Sequence, residues 1–558
     1  MFGDPAEDLP RIVVRFDHTT NHLHWNCRML NFVIVAAVIG MAMLIWDCIE
    51  VGRNDAANLV NAVFGARVLR RRVAVVIAGT AVVLGATFSS DVMETARKGI
   101  FDPAVLTVQM ALAIYVSVYF VDTVLLYGFS GFGMPVSTTA CLVFELVGAA
   151  WFLAGRGNVA WPKVSQVATG IVVSIIISGM ASFLVMRVFR AAIRDNVKDR
   201  DTILLHGPWI TGAMFTWLTW FMVFKGLKNV PMVKSLKADT FEIYGEWAVL
   251  VVLWGILTLV THLILVVTHR RGYEYLFPAT AVAGMICMAF AFGQNDLANA
   301  ASPGLASLKL MDQVQDGGAA TDLAAIATKA PIPKWALFGC GLLMAGGMFT
   351  TYAQRVTRAE VNTGSQYDQV TLYAPGWCKR LARLLLIRRP KLEPLAPAPE
   401  VTEQGKKLHY DSLRASVITG VSASVIAFAS GHGLPVSTTY VAFAAVLGSG
   451  LSDRVFARGD AETKLGRAIW VISCWFIAPL IAVVATGCVA TLVYRLEIWG
   501  LLICVLLNLA VRFYFRRRAN LHEKLHHTDV RKATAGKSTT GEPLGDRESQ
   551  SDGSKDQF

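Results

Sequence analysis

Charge is what this sequence has least of. Asp, Glu, Lys and Arg make up 16% of its 558 residues, while hydrophobic types reach 54%. That balance excludes an ordinary soluble enzyme and points to a polytopic membrane protein. Cysteine lacks any organised spacing. The nine are scattered, several of them (Cys48, Cys287, Cys340, Cys488) inside apolar runs, and no CxxC or Cys/His cluster occurs. Neither a disulfide framework nor a zinc site is expected. Histidine is concentrated in loops and towards the C-terminus. His206, His262 and His432 stand near apolar segments, where a lone histidine is usually structural. No His/Asp or metal-ligand constellation at catalytic spacing falls in the apolar runs, so neither enzymatic activity nor a cofactor is expected. Residues 1–30 lack the n-region and h-region order of a cleaved signal, and the first apolar run is expected to remain as a span.

The net charge of +12 does not imply nucleic acid. Arg and Lys sit mostly in loops flanking apolar runs and at the C-terminus, which fits membrane orientation and anionic lipid. A span needs roughly 20 apolar residues. Candidates fall at 31–51, 73–90, 104–127, 136–154, 166–188, 208–226, 246–268, 276–300, 335–353, 414–430, 436–451, 468–494 and 498–515. The aromatic-rich 208–226 could instead lie at the interface, and short or polar-interrupted runs could be re-entrant. The expected fold is therefore all-α and polytopic, with about 12–13 transmembrane helices.

Two motifs occur twice, in the same order. Gly52-Arg53-Asn54-Asp55-Ala56-Ala57-Asn58 is matched by Gly293-Gln294-Asn295-Asp296-Leu297-Ala298-Asn299, and Pro135-Val136-Ser137-Thr138-Thr139 by Pro435-Val436-Ser437-Thr438-Thr439. Duplicated polar motifs in apolar segments mark secondary transporters built from two related halves. This divides the chain into a polar segment 1–30, a first repeat 31–154, connecting helices 155–275 and a second repeat 276–451. C-terminal helices 452–515 and a disordered tail 516–558 follow. Residues 354–413, with Pro390, Pro394, Pro397 and Pro399, read as a hydrophilic loop inside the second repeat. Clusters such as Arg70-Arg71-Arg72 and Arg516-Arg517-Arg518 fall on one side if the N-terminus is outside and the C-terminus cytoplasmic. The lysines at 225, 228, 234 and 237 are the exception. Three spans then separate two four-span units, so the second unit is upside-down relative to the first, an inverted repeat.

Asn54, Asp55 and Asn58 share one face of a helix, as do Asn295, Asp296 and Asn299. A carboxylate with amide oxygens suits a small cation such as Na⁺, and Gly52 and Gly293 permit a helix break that would free carbonyls as further ligands. The bland alternative is a capped helix end. In the second motif, Pro135 and Pro435 suit a first helical turn. Ser137, Thr138, Thr139, Ser437, Thr438 and Thr439 would then present hydroxyls and free N–H groups to an oxyanion. Here the alternative is Ser/Thr packing between spans. Glu50 with Arg53 reads as a structural ion pair at i,i+3.

On these residues the chain resembles the inorganic phosphate transporter (PiT) family, whose signature is a Gly-x-Asn-Asp-x-Ala-Asn pattern in each half with Pro-(Val/Ile)-Ser-Thr-Thr partners. Glu94-Thr95-Ala96-Arg97-Lys98-Gly99 and Gly433-Leu434-Pro435 are similar too, and the likeness covers most of 31–515. It implies cation-coupled uptake of inorganic phosphate by an inverted-repeat fold in the cell membrane. Asp55, Asn58, Asp296 and Asn299 would lie near sodium, with the six hydroxyl residues around the anion, some of them shared with the cation. The chain departs from the family at Val82 and Thr419, where many members carry Glu, and at Arg53, where a small residue is commoner. Phosphate, sulfate and arsenate, Na⁺ and H⁺, and monomer and homodimer all remain open from sequence. An ion channel and a membrane enzyme acting on phosphorylated lipid are the competing classes.

Overall fold

The computed structural model describes residues 18–88, 100–101, 106–194, 199–227, 230–315, 334–366, 372–387, 408–432, 436–457 and 460–538. Among them the regular secondary structure is helical, apart from an isolated bridge between Phe101 and Val159. The helices of the first half are α1 (His18–Gly65), α2 (Arg71–Thr87), α3 (Val108–Gly131), α4 (Thr138–Ala154) and α5 (Trp161–Ile193). Next come α6 (Arg200–Thr219), which runs into a π-helical turn at Trp220–Gly226, α7 (Pro231–Tyr244) and α8 (Glu246–Thr268). The second half holds α9 (Arg270–Gln315), α10 (Lys334–Gly347), α11 (Thr351–Thr363), α12 (Gly376–Leu386), α13 (Ser412–Gly431), α14 (Thr438–Ser452) and α15 (Ala461–Ser538).

Among the described residues seven helices are long and apolar enough to cross a membrane, or eight if α10 and α11, bent by 67°, form one span. The larger count expected from sequence included short helices. Thr138–Ala154 and Thr438–Ser452 are too short for a full span, as is the 17-residue α2. The last two expected spans lie on α15, which is interrupted where Glu497 takes φ 50°. The segment 208–226 packs inward through Ile210, Met214 and Leu218. Lipid-facing surfaces are plain on α5, α8 and α15, where Ile176, Val251 and Leu506 are exposed.

The packing is reciprocal. α1 lies against α9, α2 against α9, and α10 against α1. α3 packs on α1 as α13 packs on α9, and α4 packs on α15 as α14 packs on α5. Two units that exchange partners in this way share one core, which is lined by small residues such as Ala36, Ala62, Ala78, Ala289 and Ala301. Small side chains let helices approach closely where burial from water is not the driving force.

Two polar stretches behave differently from expectation. The hydrophilic loop 354–413 begins inside α11, whose Tyr352, Val356, Glu360 and Val361 are buried, and contains α12. Its polarity is one-sided: one oxygen of the Glu360 carboxylate accepts from Asn61 Nδ2 at 2.9 Å and the other is buried without a partner, so the charged face turns into the protein. Likewise α15 continues past 516 to Ser538. Arg355, from α11, donates to Asn520 Oδ1 at 2.8 Å and pairs with Glu523, giving this extension a partner. The Pro-rich 390–405, Glu94–Gly99 and Gly433-Leu434-Pro435 lie outside the described residues.

Candidate functional site

The helix runs unbroken through both Asn-Asp motifs. The chain breaks at the other motif, between α3 and α4 and between α13 and α14. Gly52 and Gly293 therefore serve close approach instead of a break. A Cβ on Gly52 would fall 1.8 Å from the Met344 carbonyl oxygen of α10, and one on Gly293 2.2 Å from the Val82 carbonyl oxygen of α2. These contacts press each motif helix against the short helix of the opposite half.

At the second motif, Ser137 and Ser437 are N-caps. Their hydroxyls accept from Ala140 N at 3.0 Å and Tyr440 N at 3.1 Å. Capping sets the start of α4 and α14 and leaves the first-turn N–H groups directed at whatever lies before the helix.

The motifs meet by crossing between halves. Asp55 Oδ1 accepts from Asn58 Nδ2 at 3.1 Å and from the Thr439 hydroxyl, and Asn58 Nδ2 also donates to Thr439 Oγ1 at 3.0 Å. In the other half, Asn299 Nδ2 donates to Thr139 Oγ1 at 2.7 Å, and that hydroxyl lies 3.4 Å from Asp296 Oδ1. Thr438 Oγ1 donates to Asp296 Oδ2 at 2.5 Å. Thr139 Oγ1 also donates to the Val436 carbonyl at 3.0 Å, which ties the two motif loops directly together. Asn54 Nδ2 donates to the Val136 carbonyl at 2.6 Å and Asn295 Nδ2 to the Val436 carbonyl at 2.8 Å. All twelve candidate residues are buried, none above 4% exposed. Thr138 is buried with the rest.

The acceptors are left over. Asp55 Oδ2, Asn58 Oδ1, Asn295 Oδ1 and Asn299 Oδ1 are buried without a hydrogen-bond partner. Buried oxygens without donors are costly, and hard oxygens gathered beside a carboxylate are what a small cation replaces water with. Thr139 and Thr439 sit inside these carboxylate sets, so the third hydroxyl of each motif belongs with the oxygens. Ser130 donates to Asn54 Oδ1 at 3.1 Å; no repeated motif pointed to it.

A second polar group surrounds the first set. Glu50 receives both Arg53 bonds at 2.7 Å, as the i,i+3 reading expected. It is also paired with Arg512, 462 positions away, a partner that no local pattern announces. The Arg512 guanidinium stacks over Trp46 and Tyr127, each ring centroid at 4.2 Å. Asp47, Asp122 and Glu145, on α1, α3 and α4, are buried and keep carboxylate oxygens without partners.

Residues 51–367 match the phosphate transporter family. A Thermococcus kodakarensis protein provisionally named a phosphate permease is 29% identical over 463 residues, covering 81% of this chain and 95% of that one. A Pyrococcus furiosus protein named in the same way is 26% identical, covering 83% and 95%. A Haemophilus influenzae counterpart is 24% identical, covering 80% and 92%. A solved structure titled the sodium-dependent phosphate transporter aligns with a TM-score of 0.58 at 20% identity, covering 82% of this chain and 98% of its own.

Proposed function

The chain belongs to the phosphate transporter family, and from that premise we propose that it is a secondary active symporter importing inorganic phosphate with Na⁺ or H⁺. The class is an integral membrane permease, so catalysis is not what the site has to explain. The observation that carries the proposal is the reciprocal crossing, in which Asp55 and Asn58 are completed by Thr439, and Asp296 and Asn299 by Thr139.

Coupling follows from that geometry. Asn54, Asp55 and Asn58 would hold one cation, and Asn295, Asp296 and Asn299 another. A buried carboxylate without a counter-charge costs at least ~2.5 kcal/mol in a membrane helix. A bound cation removes that cost and orients the threonine shared with the other half. Phosphate would lie where the α4 and α14 N-termini converge, held by Ser137, Thr138, Ser437 and first-turn N–H groups, with Thr438, whose hydroxyl donates to Asp296, and Thr139 and Thr439 linking anion to cation. Hydroxyls and backbone dipoles hold an anion without fixed positive charge, which eases release. Each shared threonine joins a carboxylate on one half to a helix start on the other, so occupancy of the sets would bias how the halves pack. That is the requirement for alternating access between inverted repeats. Sodium is the favoured cation because the structural neighbour is titled sodium-dependent. The membrane is the cell membrane, with the C-terminus cytoplasmic.

The test is uptake of labelled phosphate into proteoliposomes under Na⁺, H⁺ or no gradient, with unlabelled phosphate and sulfate as competitors. Saturable accumulation above the outside concentration, driven by one cation gradient and competed by phosphate, is expected. Equilibration without accumulation would mean a channel, and stronger competition by sulfate would move the substrate assignment to that anion.

A further inference from the structure

We propose that the cleft where α1 turns into α2 binds a phosphate-type oxyanion at a site separate from the motif core. The cleft encloses about 220 Å³ and is lined by Arg67, Arg71, Arg358, Asn362, His409 and Gln354, among others. No Asp or Glu is among its described lining residues. It begins at Phe64, roughly 9 Å along the helix axis from Asn58, so it is distinct from the carboxylate sets.

Arg71 is the strongest element. It is 6% exposed, its Nη2 donates to the Met348 carbonyl at 3.0 Å, and its Nε–H has no partner. Arg71 is also the first residue of α2, and Arg70 at the N-cap provides no side-chain cap. The first N–H groups of α2, at the positive end of the helix dipole, thus receive no acceptor from the N-cap side chain. Arg67 takes φ 53°, and its guanidinium stacks on Phe64 at 4.7 Å. The cleft is pinned at its rim, since His409 N donates to the Gly65 carbonyl at 2.9 Å. Burial lowers the Arg67 pKa and brings that of Arg71 down to about 10, the sign of desolvated guanidinium groups. An oxyanion supplies an acceptor for the buried, unpartnered Arg71 Nε–H, and guanidinium with a helix N-terminus is the combination that recognises phosphate. The phosphate could be soluble or the headgroup of an anionic lipid.

The site stands whether or not the core carries phosphate. The purified full chain is placed in nanodiscs of neutral lipid and titrated calorimetrically with inorganic phosphate. A binding event weakened roughly tenfold or more in Arg71→Gln and in Arg67→Gln, and intact in Asp55→Asn, is expected. Any event belonging to the core survives both Arg variants, so failure of the transport reading and failure of this one give different titrations. Arg71→Lys keeps the charge and should retain part of the affinity, which separates binding from misfolding. Repeating the titration in nanodiscs containing phosphatidic acid identifies the source. Loss of the Arg-sensitive event, with phosphatidic acid retained by wild type and not by Arg71→Gln in native mass spectrometry, assigns the headgroup; persistence of the event assigns the soluble anion. Phosphate binding unchanged in both monodisperse Arg→Gln variants, or no Arg-sensitive event and no lipid retention in wild type, overturns the proposal.

Discussion

Around Asp55 the first half carries Asp47, Glu50, Arg53, Asp122 and Glu145; at the positions in register with them the second half carries Met288, Ala291, Gln294, Ser422 and Ala445. The residues that make the two sets have diverged far less. Asn-Asp-x-x-Asn faces a threonine from the opposite half in both cases, with amides donating to Val136 and Val436 carbonyls in matching fashion. Each crossing threonine depends on the other half, so neither set can drift without spoiling the geometry it shares. The surroundings are under no such constraint. The first half has become a charged core braced by Arg512 from α15, while the second is packed with Met288, Ala291 and Ala445.

The largest effect expected from this comparison is equality at the sites. Asp55→Asn and Asp296→Asn should each reduce cation-driven phosphate uptake by more than about a hundredfold at normal membrane abundance, because each removes the charge that a cation must balance. Uptake per inserted molecule in proteoliposomes is the measurement. If one variant keeps full gradient-driven transport, the two sets are functionally unequal and only one of them is a coupling site.

Unequal stability is expected next. Glu50 is fully buried between two guanidiniums, and nothing in the second half corresponds to it. Removing one partner of a buried ion pair costs roughly 3–5 kcal/mol, because the remaining charges stay buried. Glu50→Gln should therefore lower the thermal unfolding temperature of the solubilised protein sharply. Ala291→Ser, at the matching position, should shift it little. Replacing Glu50, Arg53 and Arg512 together by apolar residues should recover much of the loss, since no uncompensated charge is left. A small shift for Glu50→Gln would show that the network is loosely held.

Much of this was legible in the sequence, and the boundary is physical. Repetition exposed the twelve candidate residues, because two copies of an expensive pattern in apolar surroundings point to the same chemistry twice. The local Glu50–Arg53 pair was visible from helical spacing. Arg512 was not, because a contact across 462 positions leaves no periodic trace. Nor was the role of Gly52: a glycine beside Asn and Asp reads equally well as a break or as a contact, and only the Met344 carbonyl behind it decides. α11 was hidden for another reason. Its Glu360 turns inward and accepts from Asn61 of α1 through one oxygen, so a polar sequence could be buried while reading as a solvated loop.

The hydroxyl crossing should give effects of intermediate size. Thr439→Val removes a donor to the carboxylate of the opposite half, and Thr139→Val removes the acceptor of Asn299 and the hydroxyl 3.4 Å from Asp296. A hydrogen bond to a charged group is worth roughly 1.5–3 kcal/mol, or about tenfold to a hundredfold in affinity. Both variants should raise the apparent KM for the cation at saturating phosphate. Double-mutant cycles on cation affinity should couple Asp55 to Thr439 and Asp296 to Thr139, with little coupling of Asp55 to Thr139. If only the apparent KM for phosphate moves, these hydroxyls serve the anion and the crossing is incidental.

The smallest effect distinguishes capping from anion binding. Ser137 and Ser437 accept from Ala140 N and Tyr440 N at nearly equal distances, 3.0 and 3.1 Å, so the two should respond alike. Ser→Ala at an N-cap costs typically ~1 kcal/mol, whereas Ser→Gly costs only a few tenths, because Gly adopts the cap conformation freely and leaves the helix end open to other acceptors. The hydroxyl is lost in both substitutions. A residue that acts through its cap therefore separates Ala from Gly in thermal stability, while one that donates to phosphate raises the phosphate KM equally in both. Ser137→Ala and Ser437→Ala should lower stability modestly and to the same degree, the Gly variants should fall between them and wild type, and all four should raise the phosphate KM because the donor is gone. A stability difference between Ala and Gly with an unchanged phosphate KM would leave the two serines as caps and assign the anion to the backbone N–H groups and the threonines. Matching stability losses in Ala and Gly would mean that neither hydroxyl caps its helix in the membrane.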